Sequence, residues 1–263
     1  MDWAKVGDIE IAFRISGCGP PLVLIMGLTA TMDWWEPSFL DSLARNHTVL
    51  VFDNRGAGRS VCDEGEFSIE QFAGDTAGLM DALAIDHASI LGYSMGGMIA
   101  QEFALRYPSR LDKLMLFSTY CGGSESVFGD KEVLTRLVDR SGTIDDLMER
   151  FLTLMFSRKW ISANRDLLAD FKRRYLLAPT PDHTAARQFM ATVKFNAADR
   201  ISSIEAPTLV ACGADDILIP ASNSRIIAGK IPGARLIEYP GAGHGVIWQL
   251  MDRCLGDLTS FLG

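Results

Sequence analysis

Six short runs of almost unbroken apolarity constrain this chain more than any other feature. They are "PLVLIM" (21–26), "TVLVF" (48–52), "ASILG" (88–92), "KLMLF" (113–117), "TLVAC" (208–212) and "RLIEY" (235–239). A strand with one wet face alternates polar and apolar residues. Unbroken apolarity marks strands covered on both faces, as in a parallel sheet. Helical patterns separate the runs. "SIEQFAGDTAGLMDALAI" places Ile69, Phe72, Ala73, Leu79, Met80 and Leu83 on one side, with Ser68 as N-cap. "MGGMIAQEFALRYP" is a second helix, stopped before Pro108, and "PASNSRIIAGKIPG" and "VIWQLMDRCLGDLTSFL" supply two more. This alternation predicts an α/β class with a mostly parallel central sheet flanked by helices.

The rhythm breaks once. Between Gly122 and Ala198 no strand-like run occurs while helical patterns are frequent. The expected organisation is a core of residues 1–121 and 199–263, interrupted by a helical lid over 122–198. In that segment Leu147, Phe151, Leu154 and Met155 share one helical face, and Met148, Leu152 and Phe156 fill another. Such a broad apolar surface serves either packing between lid and sheet or the lining of a pocket.

Bulk composition narrows the partners. At 263 residues the chain can bury a full core, and its 48% hydrophobic and 22% charged content is ordinary for a globular protein. The net charge of −8 comes from scattered acidic residues, which argues against nucleic acid or an anionic membrane as a partner and suggests only a soluble protein; the expected partner, a small-molecule substrate, rests on the site residues below. Five separated cysteines with no C-x-x-C spacing predict neither a disulfide framework nor a structural zinc site. The start "MDWAKVGDIE" has no basic segment followed by an apolar one, and no apolar run nears the roughly 20 residues needed to span a bilayer. The expected address is cytoplasmic.

The chemistry is signalled at the join between a run and a helix. In "ASILGYSMGGMIAQEFALRYP", Ser94 sits in a G-x-S-x-G turn between Gly92 and Gly96. Ligands of parallel sheets bind at the carboxyl ends of the strands, which is where Ser94 falls. Glycines in such a turn clear room, so the hydroxyl can meet both a partner and a substrate. The competing reading is a glycine-rich helix start packed on the sheet, with Ser94 as its cap.

A serine nucleophile needs a base that a third group orients. His47 and His87 precede strands and belong at the opposite edge, and His183 falls in the lid segment. At about 3.3 Å per residue, the strand at 88 separates His87 from Ser94 by roughly 15–20 Å. His244, in "YPGAGHGVIW", follows the run at 235–239 and emerges at the edge that carries Ser94. For the orienting carboxylate, "TLVACGADDILIP" offers Asp215 and Asp216 past a strand end. Their side chains point apart, and spacing alone does not choose between them. Glu125 lies farther into the lid, and Asp53 in "VFDNRGAGRS" reads as part of a turn held by local hydrogen bonds.

Together "GYSMGG", "FDNRGAGRS", "APTLVACGADDILIP" and "GAGHG" resemble the α/β-hydrolase superfamily, in its branch with a helical lid. The order Ser, Asp, His is that of the superfamily. Its G-x-x-D-x-x-x-P pattern fits Gly213, Asp216 and Pro220, so the resemblance selects Asp216. It also implies an oxyanion hole from the backbone N–H groups of Met95 and of Leu28. Many members carry His-Gly before the second donor, where this chain reads Met26-Gly27.

The resemblance implies a serine hydrolase of the esterase kind needing no cofactor or metal, and Trp34, Trp35 and the apolar faces of the lid segment point to a small to medium apolar ester or similar carbonyl compound as its substrate. His244 would take the Ser94 proton, Asp216 would hold the imidazole, and water would release the acyl group. An enol-lactonase, a carbon–carbon bond hydrolase or an acyltransferase would use the same triad. Epoxide and haloalkane hydrolases are disfavoured, because their nucleophile is a carboxylate. A non-catalytic ligand-binding protein or structural subunit on this fold is the reading from another class.

Overall fold

All six apolar runs lie in strands of one sheet in the computed structural model, Met26 at the end of the first run alone falling just past its strand; the structure describes residues 1–62 and 65–263. The strands are β1 (Asp2–Val6), β2 (Ile9–Ser16), β3 (Pro21–Ile25), β4 (Thr48–Phe52), β5 (Ala88–Tyr93), β6 (Leu111–Phe117), β7 (Thr208–Gly213) and β8 (Arg235–Tyr239). Among the described residues they form one eight-stranded sheet in the order β1-β2-β4-β3-β5-β6-β7-β8. From β4 through β8 every pairing is parallel, while β1 and β2 add an antiparallel hairpin at one edge.

That hairpin is the part the apolar runs do not signal. β1 is mostly exposed, so its residues carry little hydrophobic pattern, and β2 alternates only over its first half. An edge strand needs less apolar surface than a central one, because one side meets water.

Side chains alternate across the sheet and build two cores. Val23, Ile25, Leu50, Phe52, Ile90, Leu116 and Val210 face α2 (Ile69–Ala82) and α3 (Met95–Arg106). Leu22, Leu24, Val49, Val51, Leu91, Met115 and Leu209 face the other way, in a core that includes Phe39 and Leu43 of α1 (Pro37–Leu43). Ser68 caps α2 as its sequence predicts, its Oγ accepting the Gln71 N–H at 3.1 Å.

Five helices follow β6: α4 (Lys131–Val138), α5 (Ile144–Met155), α6 (Arg158–Ala163), α7 (Arg165–Leu177) and α8 (Asp182–Lys194). Met148, Leu152, Met155, Phe156, Phe171 and Tyr175 join the second core, while Phe151 is only half-buried against it. Aromatic contacts tie the inserted helices to the carboxyl edge of the sheet: Trp34 lies 5.1 Å from Phe151 and 5.5 Å from Phe171, and Phe171 lies 5.5 Å from Trp248.

After the insert, α9 (Ser222–Lys230) follows β7, and two helices follow β8. The sequence predicts one helix over "VIWQLMDRCLGDLTSFL". The structure divides it into α10 (Val246–Gln249) and α11 (Met251–Leu262), because Leu250 leaves helical geometry at φ −132° and ψ 44°. Among the described residues no helix is long and apolar enough to cross a membrane.

Candidate active site

β5 ends at Tyr93 and α3 begins at Met95, so Ser94 alone turns the chain. It does so at φ 57° and ψ −119°, a conformation costing about 1–3 kcal/mol for a residue with a side chain. Hydrogen bonds hold it there. The Ser94 N–H donates to Phe117 O at 2.9 Å, and Ser94 O accepts Gly97 N–H and Thr119 Oγ1, each at 2.8 Å. The flanking glycines are required. A Cβ on Gly92 would meet Gly96 O at 2.2 Å, and one on Gly96 would meet Ile25 O at 2.0 Å. The hydroxyl stays half-buried while its neighbours Tyr93 and Met95 are buried.

Two other strand ends deliver the partners. His244, past β8, is 2% exposed, and its Nε2 lies 3.2 Å from Ser94 Oγ. Its Nδ1 lies 2.7 Å from Asp216 Oδ2, past β7. The other oxygen of Asp216 accepts the N–H groups of Leu218 at 2.9 Å and Ile219 at 2.8 Å, which fixes the plane of the carboxylate. With Nδ1–H donated to Asp216, the Nε2 lone pair faces the serine hydroxyl.

The remaining candidates separate cleanly. Asp215 is exposed, its backbone N–H bonded to Ala242 O at 2.9 Å. Glu125 pairs with Lys230, His87 with Asp112, and His183 is exposed. Asp53 is fully buried, accepting Arg59 N–H at 2.9 Å and Met32 N–H at 2.7 Å. The Arg59 bond is the local turn its sequence suggests, whereas the Met32 bond ties that turn to the loop after β3. Burial raises the Asp53 carboxyl above its ordinary value, opposed by the Arg59 and Met32 donors.

Met95 opens α3, and its N–H is one of the first-turn donors that have no partner four residues back in the helix, where the dipole favours negative charge. Leu28 follows Gly27, which lies against Ser94: a Cβ at Gly27 would meet Ser94 Cβ at 3.0 Å and Oγ at 3.5 Å. Leu28, Ser94, Met95 and His244 all line one cavity of about 130 Å³.

The loop bearing Leu28 lacks the superfamily's histidine, and other side chains support it. Asn54 Nδ2 donates to Met26 O at 3.0 Å, and Asp53 receives Met32 N–H. From α8, Gln188 Oε1 accepts Thr29 N–H, and from the connection between α7 and α8, Thr180 Oγ1 donates to Thr29 O, both at 2.8 Å. Tyr93 adds a brace on His244, its hydroxyl donating to His244 O. Burial and the Asp216 charge push this phenol well above its usual value, keeping it a donor. Sequence reasoning missed these supports. Tyr93 occupies a variable position of the G-x-S-x-G turn, and Gln188 carries no local signal in a polar helix.

A sequence profile of the α/β-hydrolase fold matches residues 20–249. RutD of Azorhizobium caulinodans, provisionally named a carbamate hydrolase, is 30% identical over 244 residues, covering 93% of this chain and 91% of its own. The crystal structure of a hydrolase from Pseudomonas aeruginosa PA01 superposes with a TM-score of 0.88 at 29% identity, covering 100% of this chain and 98% of that one. The enol-lactonase from Burkholderia xenovorans LB400 also gives 0.88, at 28% identity and 99% coverage of both chains. This chain therefore belongs to the α/β-hydrolase fold family. It is an enzyme, a hydrolase.

Proposed function

We propose that the enzyme is a serine hydrolase that cleaves carboxylic esters with small, apolar, uncharged acyl groups through an acyl-enzyme on Ser94. One observation carries the reading: the Ser94–His244–Asp216 chain of hydrogen bonds opens onto a cavity with no Asp, Glu, Lys or Arg among the described residues of its lining. Met26, Leu28, Trp34, Met98, Phe151 and Leu218 are among its walls. A charged acyl group would lose its hydration there with no ion to replace it.

Size sharpens the substrate class. A dry cavity near 150 Å³ holds one benzene ring, so about 130 Å³ accommodates an acyl group of roughly six carbons or fewer. A second cavity of about 280 Å³ shares Leu28, Trp34, Leu137, Phe151 and Phe189 with the first. Its lining also carries Arg136, Asp139, Arg140 and Asp182, a setting suited to a larger and more polar alcohol portion. In this reading residues 122–198 act as a lid that supplies most of the wall between the two.

The chemistry proceeds in two halves. Ser94 Oγ attacks the ester carbonyl as its proton passes to His244 Nε2, and Asp216 stabilises the resulting imidazolium. The Met95 and Leu28 N–H groups receive the oxyanion, each worth about 3 kcal/mol in comparable sites. The tetrahedral adduct expels the alcohol, which takes the proton from His244. Water repeats the sequence on the acyl-enzyme and frees the acid.

Graded p-nitrophenyl esters test this. Turnover should peak at short acyl chains, begin with a burst of about one equivalent of p-nitrophenolate if deacylation is slower, and vanish in Ser94→Ala. Turnover that survives Ser94→Ala, or a preference for long or anionic acyl groups, would sink the reading. Lactone hydrolysis is the second reading, favoured by the likeness to an enol-lactonase across the whole chain. A lactone is a cyclic ester that the same attack opens, so lactones and carbamates belong in the same screen.

A further inference from the structure

We infer that Gln188 is a positioning residue for the oxyanion donor: through Thr29 it fixes where the Leu28 N–H stands, so the inserted helices set transition-state stabilisation as well as pocket shape. The inference rests on the acyl-transfer reading above and extends it to a residue that does not touch substrate.

Thr29 is the residue next to Leu28, and it adopts φ 60°, a left-handed conformation that a β-branched residue rarely takes unless its surroundings impose it. What imposes it is visible. Both backbone polar groups of Thr29 are bound by the insert, the N–H by Gln188 Oε1 and the carbonyl by Thr180 Oγ1, each at 2.8 Å. The planar peptide that ends in that N–H begins at the Leu28 Cα, so the clamp holds the Leu28 Cα and carbonyl, and the Leu28 N–H in the preceding peptide is separated from it only by the two backbone dihedrals of Leu28.

Gln188 is built for this one contact. Its side chain comes from α8, 159 residues away in sequence, and it has no exposed surface. Its Nε2 has no hydrogen-bond partner among the described residues, whereas its Oε1 is paired. A buried amide with one half unsatisfied is a cost, and an apolar residue would avoid it. The half that is satisfied meets the oxyanion loop. The flanking Phe189 and Thr192 line the first cavity, yet Gln188 itself does not. Its influence on the reaction is therefore through the backbone of the loop.

The physical consequence is a split between binding and turnover. A ground-state carbonyl oxygen is weakly held by an oxyanion hole, whereas the tetrahedral oxyanion depends on donors placed to within a few tenths of an ångström. Loosening Thr29 should lower kcat and leave KM nearly unchanged.

The experiment compares Gln188→Leu, Gln188→Glu and Thr180→Val with the wild type on p-nitrophenyl butyrate. Inhibition by an alkyl trifluoromethyl ketone, whose serine adduct carries an oxyanion, is measured in parallel. Gln188→Leu should lower kcat about 10- to 100-fold with KM within about twofold, and weaken the ketone by the same factor. Gln188→Glu keeps an acceptor facing Thr29 and should recover most of kcat. Thr180→Val should give a smaller loss of the same kind, and it tests the clamp independently if Gln188→Leu fails to fold. A rise in KM at constant kcat, or a kcat loss with unchanged ketone affinity, would overturn the inference. So would wild-type kinetics in folded Gln188→Leu. Ser94→Ala is run alongside: full activity there would instead overturn the acyl-transfer reading on which the inference stands.

Discussion

Asp216→Asn separates the proposed triad from its nearest alternative. In the native protein Asp216 Oδ1 accepts two backbone N–H groups at 2.8 and 2.9 Å, and Oδ2 accepts His244 Nδ1 at 2.7 Å. An asparagine has one oxygen. The two N–H groups claim it, which turns the Nδ2 amide toward His244. Two donors cannot bond each other, so the imidazole must present its Nδ1 lone pair and move its proton to Nε2. That nitrogen faces Ser94 Oγ at 3.2 Å and can no longer accept its proton. The same tautomer inversion in other triads lowers kcat about 10⁴-fold, equivalent to about 5.5 kcal/mol of barrier. The fold should survive, because both backbone bonds remain. Initial rates on p-nitrophenyl butyrate and a thermal melt provide the readout. Asp215→Asn, at an exposed site, should stay within about twofold of wild type. A mild Asp216→Asn beside a severe Asp215→Asn would refute both the assignment and the tautomer argument.

Three further outcomes follow from named contacts. Tyr93→Phe removes the hydroxyl that braces His244 O, leaving that carbonyl, among the described residues, the Ser118 Oγ contact at 3.4 Å. It should cost about 1–2 kcal/mol, roughly 2–8 °C in melting temperature, with a measurable loss in kcat. Phe151→Ala opens the wall common to the two cavities, and the preferred acyl chain should lengthen in a p-nitrophenyl ester series. Acid stability should depend on Glu102, whose side chain is fully buried and bonded to Arg106 at 2.7 Å and Arg200 at 2.8 Å. Burial pushes this carboxyl up, but the bonds and charges of Arg200 and Arg106 outweigh it and hold it below its ordinary 4.5. A depressed folded value contributes stability in full above that ordinary value, and the contribution disappears as pH falls through the folded one. Glu102→Gln should therefore melt lower at pH 7 and lose less than wild type on going to pH 3. Parallel melting curves would contradict this.

The central strands and the three converging groups were legible because each left a local mark. Strands covered on both faces need continuous apolarity, and a one-residue turn at Ser94 needs glycines at 92 and 96. Strand direction alone then sorted His244 from His47 and His87. The choice of Asp216 over Asp215 was not legible in this way. It came from a family pattern, and burial with three donors supplies its physical counterpart. The edge hairpin escaped because β1 is too exposed to need a pattern. Leu250 escaped because helical periodicity runs through it, and only its backbone departs. Gln188 and Thr180 escaped for a different reason: their partner is a backbone group at residue 29, and no side-chain periodicity encodes such a pairing.

The span of these bonds also bears on time. Ser94 meets His244 across 150 residues, and Thr29 meets Gln188 across 159. Contacts that close such long loops form late, after local helices have appeared. During recovery from denaturant, ester turnover should thus lag helical circular dichroism, making catalysis the final clock of assembly.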